Sequence, residues 1–186
     1  GIGSNGLTSA RHDVLSNYIK ALYPESYDHD VPDDLTYCGS KKLTDKIENY
    51  DIGKMLLSPT RSYAPLLKKI FEKVGRDKIN GIIHCTGGGQ TKILHFVDDL
   101  HIMKNNLFET PPIFKLIMNE SNTDPKEMYK VFNMGHRMEI YIHPDYASDI
   151  IEISKTVGID AKIIGEVLKS QKKKLSIQSE LGNFDY

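Results

Sequence analysis

The sequence has few of the residues that cross-link a protein or bind a structural metal. Only two of its 186 residues are cysteines, Cys38 and Cys85. They form no C-x-x-C pair and have no histidine at zinc-site spacing, which argues against both a disulfide framework and a zinc site. A chain of this length buries enough apolar surface to fold without such cross-links. We therefore expect two free thiols in a reducing compartment.

Excess charge and long hydrophobic runs are also lacking. The formal net charge is −1, so no overall basic field exists to hold nucleic acid or an anionic membrane. No apolar run reaches the ~18 residues of a membrane span, and the N-terminus lacks the layout of a signal peptide. We expect a cytoplasmic protein that binds a small ligand or a protein partner. Because the sequence begins at Gly1 without an initiator Met, we also expect a piece of a longer protein.

Hydrophobic spacing predicts a mixture of helices and strands, and hence an α+β or α/β fold with a mixed β-sheet. Residues 23–50 are predicted to form a surface loop or a short helical excursion, and the polar tail from Ser179 is expected to be frayed. The predicted helices span residues 14–22, begin at 62, follow the glycines near 93, and begin at 111, 124 and 144; the predicted strands cover 79–85, 102–103, 138–142, 161–167 and 175–178.

In strand 138–142, apolar residues alternate with polar ones. We expect Met138, Ile140 and Ile142 to face inward and Glu139 and Tyr141 to face solvent.

Three successive glycines follow the strand predicted for residues 79–85. Gly87, Gly88 and Gly89 lie between Thr86 and Gln90, where a helix-like pattern begins. One interpretation is a tight turn that packs a helix against a strand. The other is an anion site, because backbone N–H groups at a helix N-terminus attract negative charge. Thr86 and Lys92 could then add a hydroxyl donor and a positive charge.

Other polar patterns are less specific. The Gly/Ser-rich residues 1–9 form a second turn before a helix, for which Ser9 is a reasonable N-cap. The seven histidines include no H-x-x-x-H pair. No Ser-His-Asp grouping can be argued from spacing.

Five blocks of the sequence carry a resemblance to a known family. They are LLSPTRSY (56–63), HCTGGGQT (84–91), PPIFKLI (111–117), EMYKVFNMG (127–135) and IIGEV (163–167). EMYKVFNMG is the most specific of them, whereas TGGG alone would be weak. In this order and spacing the blocks resemble the C-terminal domain of aminoimidazole ribonucleotide synthetase, the phosphoribosylformylglycinamidine cyclo-ligase family, which implies an α+β fold with a mixed β-sheet covered by helices.

The resemblance implies that residues 1–186 form a single C-terminal domain of that enzyme type. It implies a separate N-terminal domain, absent from this chain, that supplies most of the site for ATP and Mg²⁺ and the homodimer interface. The ribonucleotide substrate would lie between the two domains. The family reaction uses ATP to phosphorylate the formyl oxygen of formylglycinamidine ribonucleotide, after which the amidine nitrogen closes the imidazole ring. We expect this piece alone to be inactive.

The resemblance also implies which residues contact the substrate or its phosphate. Arg61, in the family's PTR element, either binds an anion or ties its loop to a carboxylate. The implied contact residues are Ser4, Gly6, Ser9, Arg61, Thr86, Gly87, Gly88, Gly89, Asn133 and Gly135.

The chain departs from the family pattern near this site. Many family members have the pattern G-x-H-S-N-G, which we align with residues 6–11. In this alignment the chain departs from the pattern at Thr8, Ala10 and Arg11. Lys92 and Arg137 replace other family residues. Two rival functions therefore stay open: a non-catalytic phosphate-binding or regulatory module, and a related ATP-using enzyme such as formylglycinamidine ribonucleotide synthetase. The FNMG block favours the cyclo-ligase.

Overall fold

The computed structural model describes residue 2 and residues 6–186. The predicted site residue Ser4 lies outside the described residues. The chain forms two compact units. The first comprises Gly1–Thr60, Thr86–Gln90 and Glu109–Gly135, and the second comprises Arg61–Cys85, Thr91–Phe108 and His136–Tyr186. No helix in the described part of the chain is both long enough and apolar enough to cross a bilayer.

The described part of the chain contains both helices and strands, as the α+β class requires. The α-helices are α1 Leu7–Val14, α2 Tyr18–Leu22, α3 Ile52–Leu56, α4 Ala64–Lys73, α5 Pro112–Ser121, α6 Pro125–Val131 and α7 Ala147–Lys155. The strands are β1 Lys46–Ile47, β2 Tyr50–Asp51, β3 Ile79–His84, β4 Leu100–Lys104, β5 Met138–Ile142, β6 Gly165–Lys169, β7 Lys174–Ser179 and β8 Gly182–Asp185. The predicted helices beginning at 62, 111, 124 and 144 and the strands near 79, 102, 138 and 175 are confirmed.

The first unit is mainly helical. The single helix predicted over residues 14–22 is wrong: the chain forms α1 and α2 instead. Leu15 has extended backbone angles and makes a parallel bridge with Lys41, and the Ser16 N–H donates to the Lys41 carbonyl at 2.9 Å. Pairing with a distant segment therefore overrides the local helical pattern at this point.

Residues 23–50 form the predicted surface loop, with two 3₁₀ turns and the short β1–β2 hairpin. The loop nevertheless contributes to the core, because Tyr37 is only 2% exposed. The Tyr37 hydroxyl donates to Ser26 Oγ at 2.8 Å, and Lys20 Nζ forms a 3.0 Å ion pair with Asp33. The first contact closes the loop on itself, and the second ties the loop to α2.

The second unit contains two sheets. In the antiparallel β3–β5 pair, Ile83 lies opposite Glu139. The other sheet has the order β6–β4–β7–β8, with β4 parallel to β7 and the remaining pairs antiparallel. The predicted mixed sheet is thus confirmed. Helices α4 and α7 bury an apolar cluster against the β3–β5 pair; its buried members are Leu66, Ile70, Ile150 and Ile153.

The C-terminal tail is ordered, so the expectation of a frayed tail from Ser179 is wrong. Strand β8 pairs with β7, and Tyr186 exchanges two backbone hydrogen bonds with Leu175, at 2.9 and 3.1 Å. Leu175 is fully buried. The polar composition of the tail reflects an edge strand, which is half solvated and still fully paired on its inner side.

Candidate functional site

The three glycines adopt a backbone that other residues rarely tolerate. Their φ angles are +51° at Gly87, +93° at Gly88 and +47° at Gly89. Three successive left-handed residues are inexpensive only for glycine, because a β-carbon would clash with the backbone. The backbone conformation thus explains why glycine occupies all three positions. We call residues 86–90 the glycine segment.

The outer two glycines serve different purposes. A β-carbon on Gly89 would stand 2.5 Å from the Phe132 carbonyl oxygen and 2.7 Å from that of Tyr129. A β-carbon on Gly87 would meet nothing within 4 Å, and Gly87 is exposed. The tight-turn interpretation therefore describes Gly89, whereas Gly87 leaves open space that a ligand could enter.

The helix predicted after the glycines is not an α-helix. Residues Gly89–His95 form a 3₁₀ helix, in which only Ile93 of the predicted apolar face is buried and Phe96, just beyond, is 65% exposed. This short helix gives the anion hypothesis less support than an α-helix would. The hypothesis now depends on the exposed backbone at Gly87.

Asn133 joins three separate parts of the first unit. Its Nδ2 donates to the Ile2 carbonyl at 3.1 Å, and its Oδ1 accepts the Gly135 N–H at 2.9 Å. Gln90 Nε2 donates to the Asn133 carbonyl at 2.8 Å. Asn133 is 2% exposed, so these bonds satisfy polar atoms that are removed from water. Asn133 is accordingly a structural junction at which the glycine segment, the 132–135 turn and the N-terminus meet.

The 132–135 turn itself is strained. Met134 is a buried non-glycine residue with φ of +49°, and Gly135 follows with φ of +95°. A β-carbon on Gly135 would be 3.0 Å from Pro111. Left-handed non-glycine residues cost free energy and persist where the surroundings hold them. The Asn133 hydrogen bonds provide that restraint.

Gly6 completes this grouping. It is the N-cap of α1 with φ of +67°, and a β-carbon there would stand 2.4 Å from the Phe132 ring. The expectation of Ser9 as N-cap is wrong, because Ser9 lies inside α1 and its hydroxyl donates to Asp13 at 2.8 Å. The structure therefore brings Gly6, the glycine segment and the 132–135 turn together, and places Ser9 on the exposed side of α1.

The predicted departures Thr8, Ala10 and Arg11 all lie within α1, which begins at Leu7. Residues 1–6 themselves read G-I-G-S-N-G, which differs from the G-x-H-S-N-G pattern only by glycine at position 3.

Arg61 belongs to the second unit and is exposed. Its Nη1 donates to the carbonyl oxygen of Gly158 at 3.1 Å. The guanidinium therefore ties its loop to a carbonyl rather than to the carboxylate that the sequence suggested.

The second unit also contains a buried ion pair that the sequence pattern misplaced. Glu139 is 5% exposed and not solvent-facing, because Lys104 Nζ donates to its Oε1 and the Tyr141 hydroxyl donates to its Oε2 at 2.6 Å. Lys104, at 1% exposure, is the matching charge on β4. A lysine at the end of a predicted apolar strand was the one available signal for a buried partner.

Cys85, next to the glycine segment, is unsuited to act as a nucleophile. It is 1% exposed. Burial raises the pKa of the thiol well above its usual value, and the neighbouring Glu139 carboxylate raises it further. Because the thiolate is the reactive form, this cysteine stays inert at neutral pH. Both cysteines are free thiols, as expected.

A Ser/His/Asp grouping does occur in the second unit, although spacing could not reveal it. His101 Nε2 lies 2.8 Å from Ser176 Oγ, and that hydroxyl donates to Asp185. A serine nucleophile must give its proton to histidine, whereas here the proton points at the aspartate. The polarity is therefore wrong for a catalytic triad. Among the described residues, no three His, Cys, Asp or Glu side chains are placed to hold a metal ion.

Comparison with known proteins identifies the family. Residues 35–178 match the domain family described as AIR synthase related protein, C-terminal domain. The chain belongs to this family. A phosphoribosylformylglycinamidine cyclo-ligase of Methanopyrus kandleri is 33% identical over 168 residues, which cover 90% of this chain and 41% of that protein.

Two further cyclo-ligases of the same name give similar values. The Methanococcus vannielii protein is 34% identical over 90% of this chain and 41% of its own length. The Syntrophus aciditrophicus protein is 30% identical over 95% of this chain and 47% of its own length. The chain therefore spans less than half the length of these curated relatives.

Proposed function

We propose that this chain acts as the C-terminal domain of a phosphoribosylformylglycinamidine cyclo-ligase and binds a phosphate of the substrate or of ATP through its glycine segment. The observation that carries the proposal is the meeting of Gly6, the glycine segment and the 132–135 turn around Asn133. The glycine segment and the 132–135 turn belong to two of the blocks that resemble the family. The names of the relatives support the same assignment.

In the proposed reaction, ATP transfers a phosphoryl group to the formyl oxygen of formylglycinamidine ribonucleotide. The amidine nitrogen then attacks the carbon of the phosphorylated formyl group, and phosphate leaves. The products are therefore the aminoimidazole ribonucleotide, ADP and phosphate. Such chemistry depends on positioning and charge neutralisation more than on a protein nucleophile. The inert Cys85 thiol, and a Ser176 hydroxyl that donates to Asp185 and not to a histidine, are compatible with such chemistry.

This chain's share of the work would be to hold the substrate. The exposed backbone at Gly87 offers an approach for a phosphate oxygen, and the neighbouring Thr86 offers a hydroxyl. We expect ATP, Mg²⁺ and the homodimer interface to belong mainly to an N-terminal domain of the kind that the family has. A cytoplasmic location follows from the proposed pathway.

The test is reconstitution. The N-terminal part of the Methanopyrus kandleri relative, fused to this chain or mixed with it, is assayed for ADP release that depends on formylglycinamidine ribonucleotide. We expect turnover from the combination and none from this chain alone. Turnover by the 186 residues alone would contradict the two-domain proposal. A fused protein that binds the ribonucleotide and releases no ADP would favour the non-catalytic binding module.

Phosphate binding has its own matched pair of variants. Gly87 and Gly158 both have positive φ, and a β-carbon at either would meet nothing within 4 Å. Gly87→Ala and Gly158→Ala should thus cost similar stability. We expect only Gly87→Ala to weaken the response to inorganic phosphate in an NMR titration, and equal weakening in both variants would exclude a site at the glycine segment.

A further inference from the structure

The glycine segment leaves the second unit after Cys85 and returns to it at Thr91. Lys92, one residue after the return, reaches back to the departure point. Its ammonium group donates to the carbonyl oxygen of His84 at 3.1 Å, and the side chain is half-buried. One charged hydrogen bond therefore joins two residues that flank the segment, His84 and Lys92, which lie eight positions apart in sequence.

The carbonyl that Lys92 reaches lies on a well-held strand. His84 is the last residue of β3 and lies opposite Met138 on β5. The following residue, Cys85, donates its N–H to the Arg137 carbonyl at 2.8 Å. One pair earlier, Ile83 lies opposite Glu139, whose carboxylate is bound by Lys104 and Tyr141. Lys92 is thus hydrogen-bonded to a carbonyl on a strand whose position is held by its pairing with β5.

A segment with three glycines needs such fastening. Glycine loses more conformational freedom on ordering than any other residue, so a run of three favours disorder unless its ends are held. Gly89 is restrained by packing against Phe132, whereas Gly87 has no close neighbour for a side chain. A hydrogen bond between the residues that flank the segment adds a restraint on its open part.

We propose that Lys92 is a positioning residue, which holds the glycine segment in its binding conformation through the His84 carbonyl, and not a cation that contacts the ligand. The ligand-binding part of this inference rests on the proposed function. The part that concerns the order of the segment does not, because it can be measured without ligand.

The first measurement uses ¹⁵N relaxation of the protein without ligand. In Lys92→Met, which keeps the apolar stem, we expect the order parameters of the Gly87 and Gly88 amides to fall from about 0.85 to below about 0.6. Lys92→Arg keeps a cationic donor and should preserve the order. Lys162→Met is the matched control, because Lys162 also donates to a carbonyl of the second unit, that of Leu107 at 2.8 Å. Unchanged order parameters in Lys92→Met would overturn the proposal.

The second measurement is titration with inorganic phosphate. If Lys92 positions the segment, Lys92→Met lowers the phosphate affinity together with the order parameters of the segment. Lys92→Arg should then keep the affinity and the order parameters near their wild-type values. A loss of affinity with full order in the ligand-free protein would show that Lys92 contacts phosphate directly, which overturns the inference. If the wild type gives no phosphate response, the proposed function fails and the relaxation result alone decides. Should Lys92→Met not fold, Lys92→Gln replaces it.

Discussion

Gly89 and Phe132 touch backbone to backbone, since a β-carbon on Gly89 would stand 2.5 Å from the Phe132 carbonyl oxygen. The glycine segment and the 132–135 turn therefore pack directly against each other. The Gln90 side chain reinforces the contact by donating to the Asn133 carbonyl at 2.8 Å. The glycine segment and the end of the most specific family block thus pack together as one structural feature.

This contact predicts unequal effects of alanine at two neighbouring glycines. Gly89→Ala adds a backbone clash to the cost of a left-handed alanine and should lower the free energy of unfolding by about 2–5 kcal/mol. Gly87→Ala meets no clash and should cost only the conformational term, about 1–2 kcal/mol. Urea denaturation of both variants checks this, and equal losses would contradict the packing role of Gly89.

Phe132 should be a major contributor to the stability of the first unit. It is 3% exposed, its ring lies 5.9 Å from that of Phe114, and Gly6 lies against its edge. Phe132→Ala should cost about 3–5 kcal/mol through lost burial and a residual cavity. Phe71→Ala, at a ring that is 36% exposed, is the control and should cost much less. A small loss at Phe132 measured by denaturant melts would contradict its placement in the core.

The Lys104–Glu139 pair should show strong coupling in a double-mutant cycle. Lys104→Met leaves a buried carboxylate without its cation and should cost about 3–5 kcal/mol. Adding Glu139→Gln removes that charge and keeps an acceptor for the Tyr141 hydroxyl, so the double variant should recover much of the loss. The cycle is measured by denaturant melts, and additive losses would show that the pair is not coupled.

His12 should make stability depend on pH near neutrality. Burial, followed by the charge of Arg11, lowers the pKa of His12 below 6.5, and its Nδ1 accepts the Tyr37 N–H at 3.3 Å. Below pH 6.5 the unfolded chain then binds more protons at this histidine than the folded chain does. The free energy of unfolding should therefore fall as pH drops through that region and rise on return.

The check is a comparison of melts between about pH 7.5 and about pH 5.5, on either side of the histidine range. His12→Asn should reduce the pH dependence relative to the wild type. Identical slopes in the wild type and His12→Asn would rule out His12 as the cause.

Local sequence determined most of the element types. Apolar residues recur at helical spacing in α4 and at every second position in β5. A helix or strand that buries one face must repeat apolar residues at its own period, so these patterns predicted the element types. The same holds for α5 and α6, where a proline in the first turn also marks the start. The run of three glycines likewise indicated an unusual backbone, because glycine alone adopts left-handed angles at little cost. Two of the family blocks contain segments that the fold brings into contact, the glycine segment and the 132–135 turn.

Tertiary structure decided what depended on distant partners. The helical pattern at residues 14–22 breaks because Leu15 pairs with Lys41, and Glu139 is buried because Lys104 arrives from another strand. Neither partner lies within the range of a local pattern. Distant residues also decide whether a glycine is needed for packing or leaves open space. Gly87 and Gly89 belong to the same run of glycines, but only Gly89 lies against Phe132. The chemistry of a residue limits the backbone conformations that it can adopt, whereas the segments that pack against it in the folded protein decide its structural role.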